Sequence, residues 1–260
     1  MYPILFDFGF WKIGSYGFLF LTSIGITLFL LGYFAARERI DYGKLVDFYF
    51  VIVISGLIGA KILHLVISYD MILKNPRIAL AILISGGVWY GGLLTGVTAG
   101  IFYSKYIKIS VLRLLDFFAP LIMLGLGISR FGCFLSGCCY GRPTNMPWAV
   151  TFTNAIAHRM QPDLPYVPLH PTQLYEAFGC FVLAVILFLL YLHKKFEGQV
   201  IFMLFILYGL FRSYIEIYRG DFRGSIFNGL LSTSQFIGLA TALIFAIVYI
   251  YSWRKRRSQG

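Results

Sequence analysis

The chain has 260 residues, of which 59% are hydrophobic and only 13% are charged, and its mean hydropathy is +0.78. This composition excludes an ordinary soluble domain and indicates a polytopic membrane protein. The net charge of +11 is compatible with nucleic-acid binding, but the basic residues collect at helix ends, as membrane topology requires, so we expect no nucleic-acid partner.

Apolar runs recur along the whole chain, and a helix needs about 20 mostly apolar residues to cross the hydrocarbon core. The runs are continuous and too long for the alternating strands of a transmembrane barrel. They predict an all-α fold with seven transmembrane helices in a single transmembrane domain, residues 1–260. The segment Met1–Tyr16 lacks the basic region of a cleavable signal, so the first helix is expected to stay in place. The predicted crossings are Gly17–Phe34, Phe48–Ser68, Leu80–Tyr103, Val111–Arg130, Leu174–His193, Val200–Tyr218 and Leu230–Ser252.

Basic residues are divided unequally between the two sets of helix ends. Twelve fall at the ends that include Arg37, Lys105 and the run Arg254–Arg257, and seven fall at the opposite ends. The positive-inside bias places the richer set in the cytoplasm. The N-terminus is therefore predicted to be external and the C-terminus cytoplasmic.

The third predicted crossing contains an unusual number of glycines between Ser85 and Gly96. Small residues let two helices approach closely, which explains most clusters of this kind. A broken helix whose backbone lines a cavity is the functional alternative. Spacing alone leaves both interpretations open.

The longest connection is the proline-rich segment 131–173, which is predicted to form an external cap. The segment Gly127–Thr144 leads into it, and Arg130 and Arg142 bracket its glycines and cysteines. Backbone amides and two guanidinium groups suit an anion. Snorkelling of Arg130 at a helix end is the simpler alternative.

Cys133, Cys138 and Cys139 lie in or beside this cap, where a disulfide is possible but cannot be assigned from spacing. Their spacing matches no standard zinc pattern, and adjacent cysteines chelate one ion poorly. We therefore expect neither a metal nor a cofactor.

Two polar segments follow the cap. His170, Gln173 and Glu176 open the fifth predicted helix, where Glu176 either favours the positive end of the helix dipole or pairs with an arginine. Further along, polar residues recur at i, i+4, i+8 and i+11 on one side of a helix. Arg212 and Glu216 either satisfy each other or serve an anionic ligand, and a phospholipid headgroup is the obvious candidate. The stripe consists of Tyr208, Arg212, Glu216 and Arg219.

Together these segments resemble the prolipoprotein diacylglyceryl transferases, bacterial inner-membrane enzymes that move a diacylglyceryl group from phosphatidylglycerol to the lipobox cysteine of a secreted precursor. The resemblance spans nearly the whole chain and implies a multi-pass protein of the bacterial plasma (inner) membrane. The implied partners are phosphatidylglycerol, other membrane lipid and the signal peptide of a prolipoprotein. The segments that carry it are Tyr16-Gly17, the glycines of 86–96, Arg130–Arg142, His170–Glu176, Tyr208–Glu216 and Ser234-Gln235.

The resemblance and the motifs together nominate the site residues. Cys133, Cys138 and Cys139 are candidates for a covalent or redox role, and no residue is nominated as a metal ligand. The expected catalytic residues are Arg130, Arg212, Tyr90, Glu216 and Tyr208, and the expected substrate-binding residues are Arg130, Tyr16, Gly141, Arg142, His170, Gln173 and Glu176.

The chain departs from the family signature at several positions. Cys133, Ser136 and Cys138 replace two asparagines and a glutamate, and Tyr90 replaces a histidine that is implicated in the family's catalysis. A phenol, with a pKa near 10, is a poor base at neutral pH. Two alternatives stay open: a related phospholipid-dependent transferase with another acceptor, and a noncatalytic lipid-binding membrane protein.

Overall fold

The computed structural model describes residues 2–10, 12–84, 87–221, 224–226 and 230–258. Within them the protein is mostly helical, and its few strands pair as two short antiparallel hairpins. The elements are β1 Ile4–Asp7, β2 Lys12–Gly14, α1 Ser15–Glu38, α2 Tyr42–Ile67, α3 Tyr69–Lys74, α4 Arg77–Ile84, α5 Trp89–Tyr106, α6 Val111–Ser136, α7 Ala155–Met160, α8 Thr172–Leu192, α9 Gln199–Ile215, a 3-10 turn at Glu216–Tyr218, β3 Ser225–Ile226, β4 Leu231–Ser232 and α10 Thr233–Arg257.

Among the described residues, six helical segments are long and apolar enough to cross a membrane. This confirms the prediction of a multi-pass, all-α membrane protein in its general form. The six segments are Ser15–Glu38, Tyr42–Ile67, Val111–Ser136, Thr172–Leu192, Gln199–Tyr218 and Thr233–Arg257.

The predicted crossing Leu80–Tyr103 is wrong as a single helix. Helix α4 ends at Ile84 and α5 begins at Trp89, and Val88 between them has an extended backbone with φ −82° and ψ 116°. Ser85 and Gly86 lie outside the described residues. Glycine is a poor helix former, so a helix interruption within this glycine-rich stretch has a local cause.

The glycines that follow the break also pack α5 closely against α2. A Cβ atom added to Gly91 would lie 2.3 Å from the carbonyl oxygen of Gly59. One turn later, the Thr95 hydroxyl donates a hydrogen bond of 2.8 Å to the carbonyl oxygen of Ser55. The close approach of small residues is therefore confirmed. The helix also breaks, but the lining of a cavity by its backbone stays a prediction.

The chain separates into two compact units. One comprises Met1–Leu30 with Leu115–Gly260, and the other comprises Leu31–Leu114. The first unit contains the cap and helices α7 to α10, and the second contains α2 to α5. Most of the nominated site residues belong to the first unit, whereas Tyr90 belongs to the second.

A buried aspartate fixes the start of α9 in the first unit. Asp116 on α6 is fully buried and accepts hydrogen bonds from the backbone amides of Gly198, Val200 and Ile201 at 2.9 to 3.1 Å. These amides belong to the first turn, which has no partners within the helix. Lys194 lies 3.5 Å from the same carboxylate. The position of α9, and of the charged residues at its other end, is thereby tied to α6.

The cap is a folded segment with its own small core. Helix α6 continues to Ser136, six residues beyond the predicted end at Arg130, and α8 begins at Thr172, so the irregular part is shorter than predicted. Val150 pairs with Leu169 in an isolated antiparallel bridge, and Gly141 pairs with Arg219 in another. The core of the cap consists of Tyr140, Phe152, Ala157, Leu164 and Leu169.

Candidate active site

Glu176, in the second turn of α8, is the carboxylate around which the polar residues gather. Its side chain is fully buried. Arg130 of α6 places Nη2 2.8 Å from Oε1, and the Tyr208 hydroxyl of α9 donates a hydrogen bond of 3.1 Å to the same oxygen. Because Glu176 contacts side chains from two other helices, pairing with arginine explains its presence better than the helix dipole alone.

Arg212 joins this carboxylate to a second one. Its Nε atom lies 4.0 Å from Oε1 of Glu176, and its Nη1 atom donates to Oε2 of Glu216. Glu216 also accepts a hydrogen bond of 3.1 Å from the Ser232 hydroxyl, which precedes α10. Arg212 and Glu216 do pair, as the simpler interpretation of the stripe required, but the pair is one part of a larger network.

Arg219 is a member of this network that the site nominations missed. It lies 3.9 Å from Glu176 and 3.8 Å from Glu216, and it makes two hydrogen bonds of 2.8 and 2.6 Å to the carboxylate of Asp221. Its side chain is only 2% exposed. The sequence did contain a signal for Arg219, since it completes the polar stripe, although it lies just beyond α9 and the 3-10 turn. Its partner Asp221 lies outside the helix, and no pattern in the sequence indicated that it would join the site.

Charge is balanced within this group, which we call the arginine–carboxylate cluster. Three arginines face three carboxylates, so the buried group is neutral when all six side chains are ionised. A neutral, fully paired group is the form in which buried charges are tolerated. The members are Arg130, Arg212, Arg219, Glu176, Glu216 and Asp221.

Arg142 is not a member of the charge-balanced arginine–carboxylate cluster. It is exposed, and its Nε atom donates a hydrogen bond of 3.0 Å to the carbonyl oxygen of Arg219. Among the described residues no carboxylate lies within ion-pair distance of it. Gly141 sets its position, because a Cβ atom there would lie 2.5 Å from the carbonyl oxygen of His170 and 2.8 Å from that of Tyr218. The lack of a side chain at Gly141 thus allows the backbone segments of the cap and of the 3-10 turn to pack closely.

The remaining substrate-binding nominations lie around the same end of α6 and α8. Tyr16, the second residue of α1, packs closely against α6, since a Cβ atom added to Gly132 would lie 2.9 Å from the Cα atom of Tyr16. Gln173 is buried and donates a hydrogen bond of 2.8 Å to the carbonyl oxygen of Cys138. His170 contacts the Tyr175 hydroxyl through Nδ1 at 3.1 Å.

Three cysteines meet beside Arg130. The sulfur atoms of Cys133, Cys138 and Cys139 all lie within 4.8 Å of one another, and none of the three forms a disulfide bond in this structure. Arg130 places Nη1 3.9 Å from the sulfur of Cys133 and 3.8 Å from that of Cys139. Hydrogen bonds from the two neighbouring thiols, and the guanidinium charges nearby, hold the pKa of Cys139 below its usual value, whereas the pKa of Cys138 is raised.

The comparisons with known proteins agree on one family. The family model for prolipoprotein diacylglyceryl transferase matches residues 3–251. The chain belongs to the prolipoprotein diacylglyceryl transferase family. This confirms the resemblance first suggested by the motifs.

Relatives in this family match over almost their full length. The phosphatidylglycerol–prolipoprotein diacylglyceryl transferase of Clostridium tetani is 36% identical over 255 residues, which cover 96% of this chain and 97% of that protein. The second such transferase of Clostridium perfringens is 32% identical over 95% of this chain and 94% of that protein. The Finegoldia magna protein is 31% identical over 88% of each chain.

Two of the departures from the prolipoprotein diacylglyceryl transferase signature fall at the three cysteines, and one falls at Tyr90. Cys133 and Cys138 lie beside Arg130, which belongs to the arginine–carboxylate cluster of the larger unit. Tyr90 lies in the first turn of α5 in the smaller unit, and its side chain is 52% exposed. Cys133 and Cys138 therefore belong to the same unit as the arginine–carboxylate cluster, and Tyr90 belongs to the other unit.

Proposed function

We propose that this protein transfers a diacylglyceryl group from phosphatidylglycerol to the lipobox cysteine thiol of a prolipoprotein and releases glycerol phosphate. Membership of the family and the names of its relatives support the reaction. The observation that carries the proposal is the approach of Arg130 and Arg212 to the same oxygen of Glu176, at 2.8 and 4.0 Å. Two guanidinium groups at one point suit a phosphate, which accepts their paired donors.

In this reaction the acceptor sulfur attacks a glycerol carbon of the lipid. The carbon–oxygen bond to phosphate breaks, its electron pair stays on the phosphate, and the thiol proton is balanced by protonation of the phosphate monoester or by release to solvent. Negative charge grows on the leaving phosphate as the bond breaks. Donors placed where that charge develops lower the barrier, and Arg130 and Arg212 are the donors we assign to this task.

The headgroup must first reach those arginines. The side chains of Arg130 and Arg212 are only 14% and 11% exposed, and both are engaged by carboxylates. Arg142 is exposed and has no such partner among the described residues, so it is the first guanidinium that an incoming phosphate meets. The phosphate then replaces Glu176 or Glu216 as the partner of an inner arginine, and the displaced carboxylate takes up a proton so that the buried group stays neutral.

The membrane arrangement belongs to the same proposal. We place seven crossings in the bacterial plasma (inner) membrane, with the N-terminus and the cap, 131–173, outside and the C-terminus in the cytoplasm, in a single transmembrane domain. The seventh crossing consists of α4 and α5 on either side of the break. The test is protease removal of an N-terminal or a C-terminal tag from right-side-out and inverted vesicles. Loss of the C-terminal tag in right-side-out vesicles would reverse the orientation.

A different acceptor is the second candidate function, and the cysteines favour it. Cys133 and Cys138 replace polar residues of the family signature beside Arg130. A changed environment around the attacking sulfur is compatible with another nucleophile, while the phosphate-binding arginines stay the same.

One product assay separates these functions. The purified protein is incubated in liposomes with labelled phosphatidylglycerol and a lipobox peptide. A thioether-linked peptide together with glycerol phosphate is the expected result. Glycerol phosphate without modified peptide would favour the other acceptor, and lipid binding without turnover would reduce the protein to a lipid carrier.

A further inference from the structure

The three sulfurs beside Arg130 have the geometry of a ligand set. The sulfur atoms of Cys133, Cys138 and Cys139, the three-cysteine cluster, lie within 4.8 Å of one another. A tetrahedral zinc ion holds its sulfur ligands at about 2.3 Å, which places neighbouring sulfurs about 3.8 Å apart. Closing the cluster around an ion therefore requires shifts of no more than about 1 Å between sulfurs.

The turn that carries these sulfurs is already formed. Side chains of adjacent residues in extended backbone point in opposite directions, which is why spacing argued against a metal. Here Gly137 and Cys139 both have left-handed backbone, with φ of 73° and 62°, and the chain turns so that the adjacent sulfurs meet. A non-glycine residue in this region is uncommon and persists only where its surroundings hold it.

Neighbouring groups hold the turn from outside. The Thr172 hydroxyl donates a hydrogen bond of 2.9 Å to the carbonyl oxygen of Cys139, and Gln173 donates one of 2.8 Å to that of Cys138. The backbone amide of Cys138 donates to the carbonyl oxygen of Cys133 at 3.1 Å. These bonds fix the backbone of the turn, and the Cys138 sulfur also donates to the carbonyl oxygen of Cys133 at 3.7 Å. Such outer contacts orient metal ligands, so that only the small shifts of the sulfurs remain to be made on binding.

Charge in the surroundings favours a cation among the sulfurs. The arginine–carboxylate cluster is neutral by itself, so its guanidinium groups, which are also paired with carboxylates, do not fully offset the charge of three thiolates. A divalent cation offsets most of that charge. The donors from Arg130 Nη1 to Cys133 and Cys139 then act as outer hydrogen bonds to bound thiolates.

We propose that Cys133, Cys138 and Cys139 bind one soft divalent cation of the zinc class, with the fourth coordination position open to the acceptor thiol. Three protein ligands and one open position are the pattern of catalytic zinc sites. Cys138 and Cys139 are partly exposed, so an incoming ligand approaches from their side.

This site would remove the proton of the acceptor thiol, a task for which the phenol of Tyr90 is a poor base. A thiol that coordinates such a cation loses its proton. The acceptor S–H bond breaks on binding, and the proton passes to solvent. The metal-held sulfur then donates an electron pair to the glycerol carbon as the bond to phosphate breaks. The metal changes neither charge nor oxidation state. This catalytic role rests on the proposed transfer function, whereas the binding of the ion does not.

Binding is tested with Co²⁺ and Zn²⁺ on the reduced, metal-free, tag-free protein. We expect one Co²⁺ per chain with a sulfur-to-cobalt charge-transfer band, displaced by Zn²⁺. Loss of an outer-shell partner weakens metal binding by about 10- to 100-fold, so replacement of a ligand in Cys133→Ser, Cys138→Ser or Cys139→Ser should weaken it by more than about 100-fold. Cys180→Ala is the matched control, since Cys180 is a buried cysteine of α8 outside the cluster.

A measurement on the unaltered protein guards against misfolded variants. Zn²⁺ should protect the partly exposed Cys138 and Cys139 from maleimide labelling and leave the labelling of the buried Cys180 unchanged. Absence of a charge-transfer band, of protection at these thiols, or of any weakening in the serine variants would overturn the site.

Measurement of thioether formation with and without metal tests the catalytic role of the metal separately from the proposed transfer function. Chelation should reduce thioether formation at least tenfold, and Zn²⁺ should restore it. Equal rates with and without metal would overturn the role of the fourth position while leaving the transfer function standing. Metal binding without any thioether product under either condition would overturn the transfer function, and with it this role.

Discussion

Arg130 of α6 and Arg212 of α9 approach the same atom, Oε1 of Glu176 on α8, at 2.8 and 4.0 Å. Three helices are therefore joined at one carboxylate oxygen. In the function we propose, the same contacts that stabilise the fold also position the two guanidinium groups for a phosphate. Binding of the lipid then requires an exchange of one anion for another rather than the entry of an anion into a vacant site.

Replacing Glu176 with glutamine keeps the shape of the side chain but removes its charge. Three arginines would then face two carboxylates in a buried group, and removal of one partner from such a group costs about 3–5 kcal/mol. We expect Glu176→Gln to lower the thermal unfolding temperature of the detergent-solubilised protein markedly.

Asp7→Asn provides the matched control, because it removes a carboxylate from an exposed ion pair. Asp7 lies 3.2 Å from Lys12, and both side chains are at least half exposed. Exposed pairs contribute little to stability. Equal unfolding temperatures for the two variants would show that Glu176 does not hold the helices together.

Much of this arrangement could be predicted from local patterns. Apolar runs located six of the long helices, and the i, i+4, i+8 spacing of Tyr208, Arg212 and Glu216 placed them on one side of the helical span Gln199–Tyr218. These features depend only on residues within a few turns of one another. The family resemblance then nominated Arg130, whose contact with α8 is long-range.

What could not be predicted depends on contacts distant in the chain. The Asp116 carboxylate accepts from amides more than 80 residues later, and no local pattern signals that pairing. Arg219 was visible in the stripe, but its bidentate partner Asp221 lies outside the helix. The meeting of Cys138 and Cys139 required the left-handed backbone at Cys139, which spacing does not encode.

Substituting lysine for either inner arginine tests the phosphate-binding role. Lysine keeps the positive charge but loses the planar fork of donors that matches a phosphate. We expect Arg130→Lys and Arg212→Lys to reduce turnover by at least about 100-fold, the loss typical of a donor to developing charge. Alanine at either position should abolish turnover while membrane insertion persists.

The control for these variants is Arg159→Ala, which removes an exposed arginine of α7 in the same cap. Thioether formation by this variant should match that of the unaltered protein. An Arg212→Lys protein with full activity would remove the argument that these guanidinium groups handle the phosphate.

Gly141 offers a test of how the cap is joined to the helices. An added Cβ atom would lie 2.5 Å from one backbone oxygen and 2.8 Å from another, and neither can move without distorting the cap. Overpacking of this kind costs about 1–3 kcal/mol. We expect Gly141→Ala to lower the thermal unfolding temperature and to reduce activity. Gly25→Ala, on α1 where a Cβ atom meets nothing within 4 Å, should be tolerated.

Arg142 should affect lipid binding more than the chemical step. It is exposed, it has no carboxylate partner among the described residues, and only the carbonyl oxygen of Arg219 accepts from its side chain there. A hydrogen bond to a charged group is worth about 1.5–3 kcal/mol, so its loss should weaken binding by roughly 10- to 100-fold. We expect Arg142→Gln to raise KM for phosphatidylglycerol by that factor with kcat nearly unchanged, as measured by initial rates over a range of lipid mole fractions. A fall in kcat at constant KM would instead assign Arg142 to the transition state, beside Arg130 and Arg212, and would contradict its place as the first contact of the headgroup.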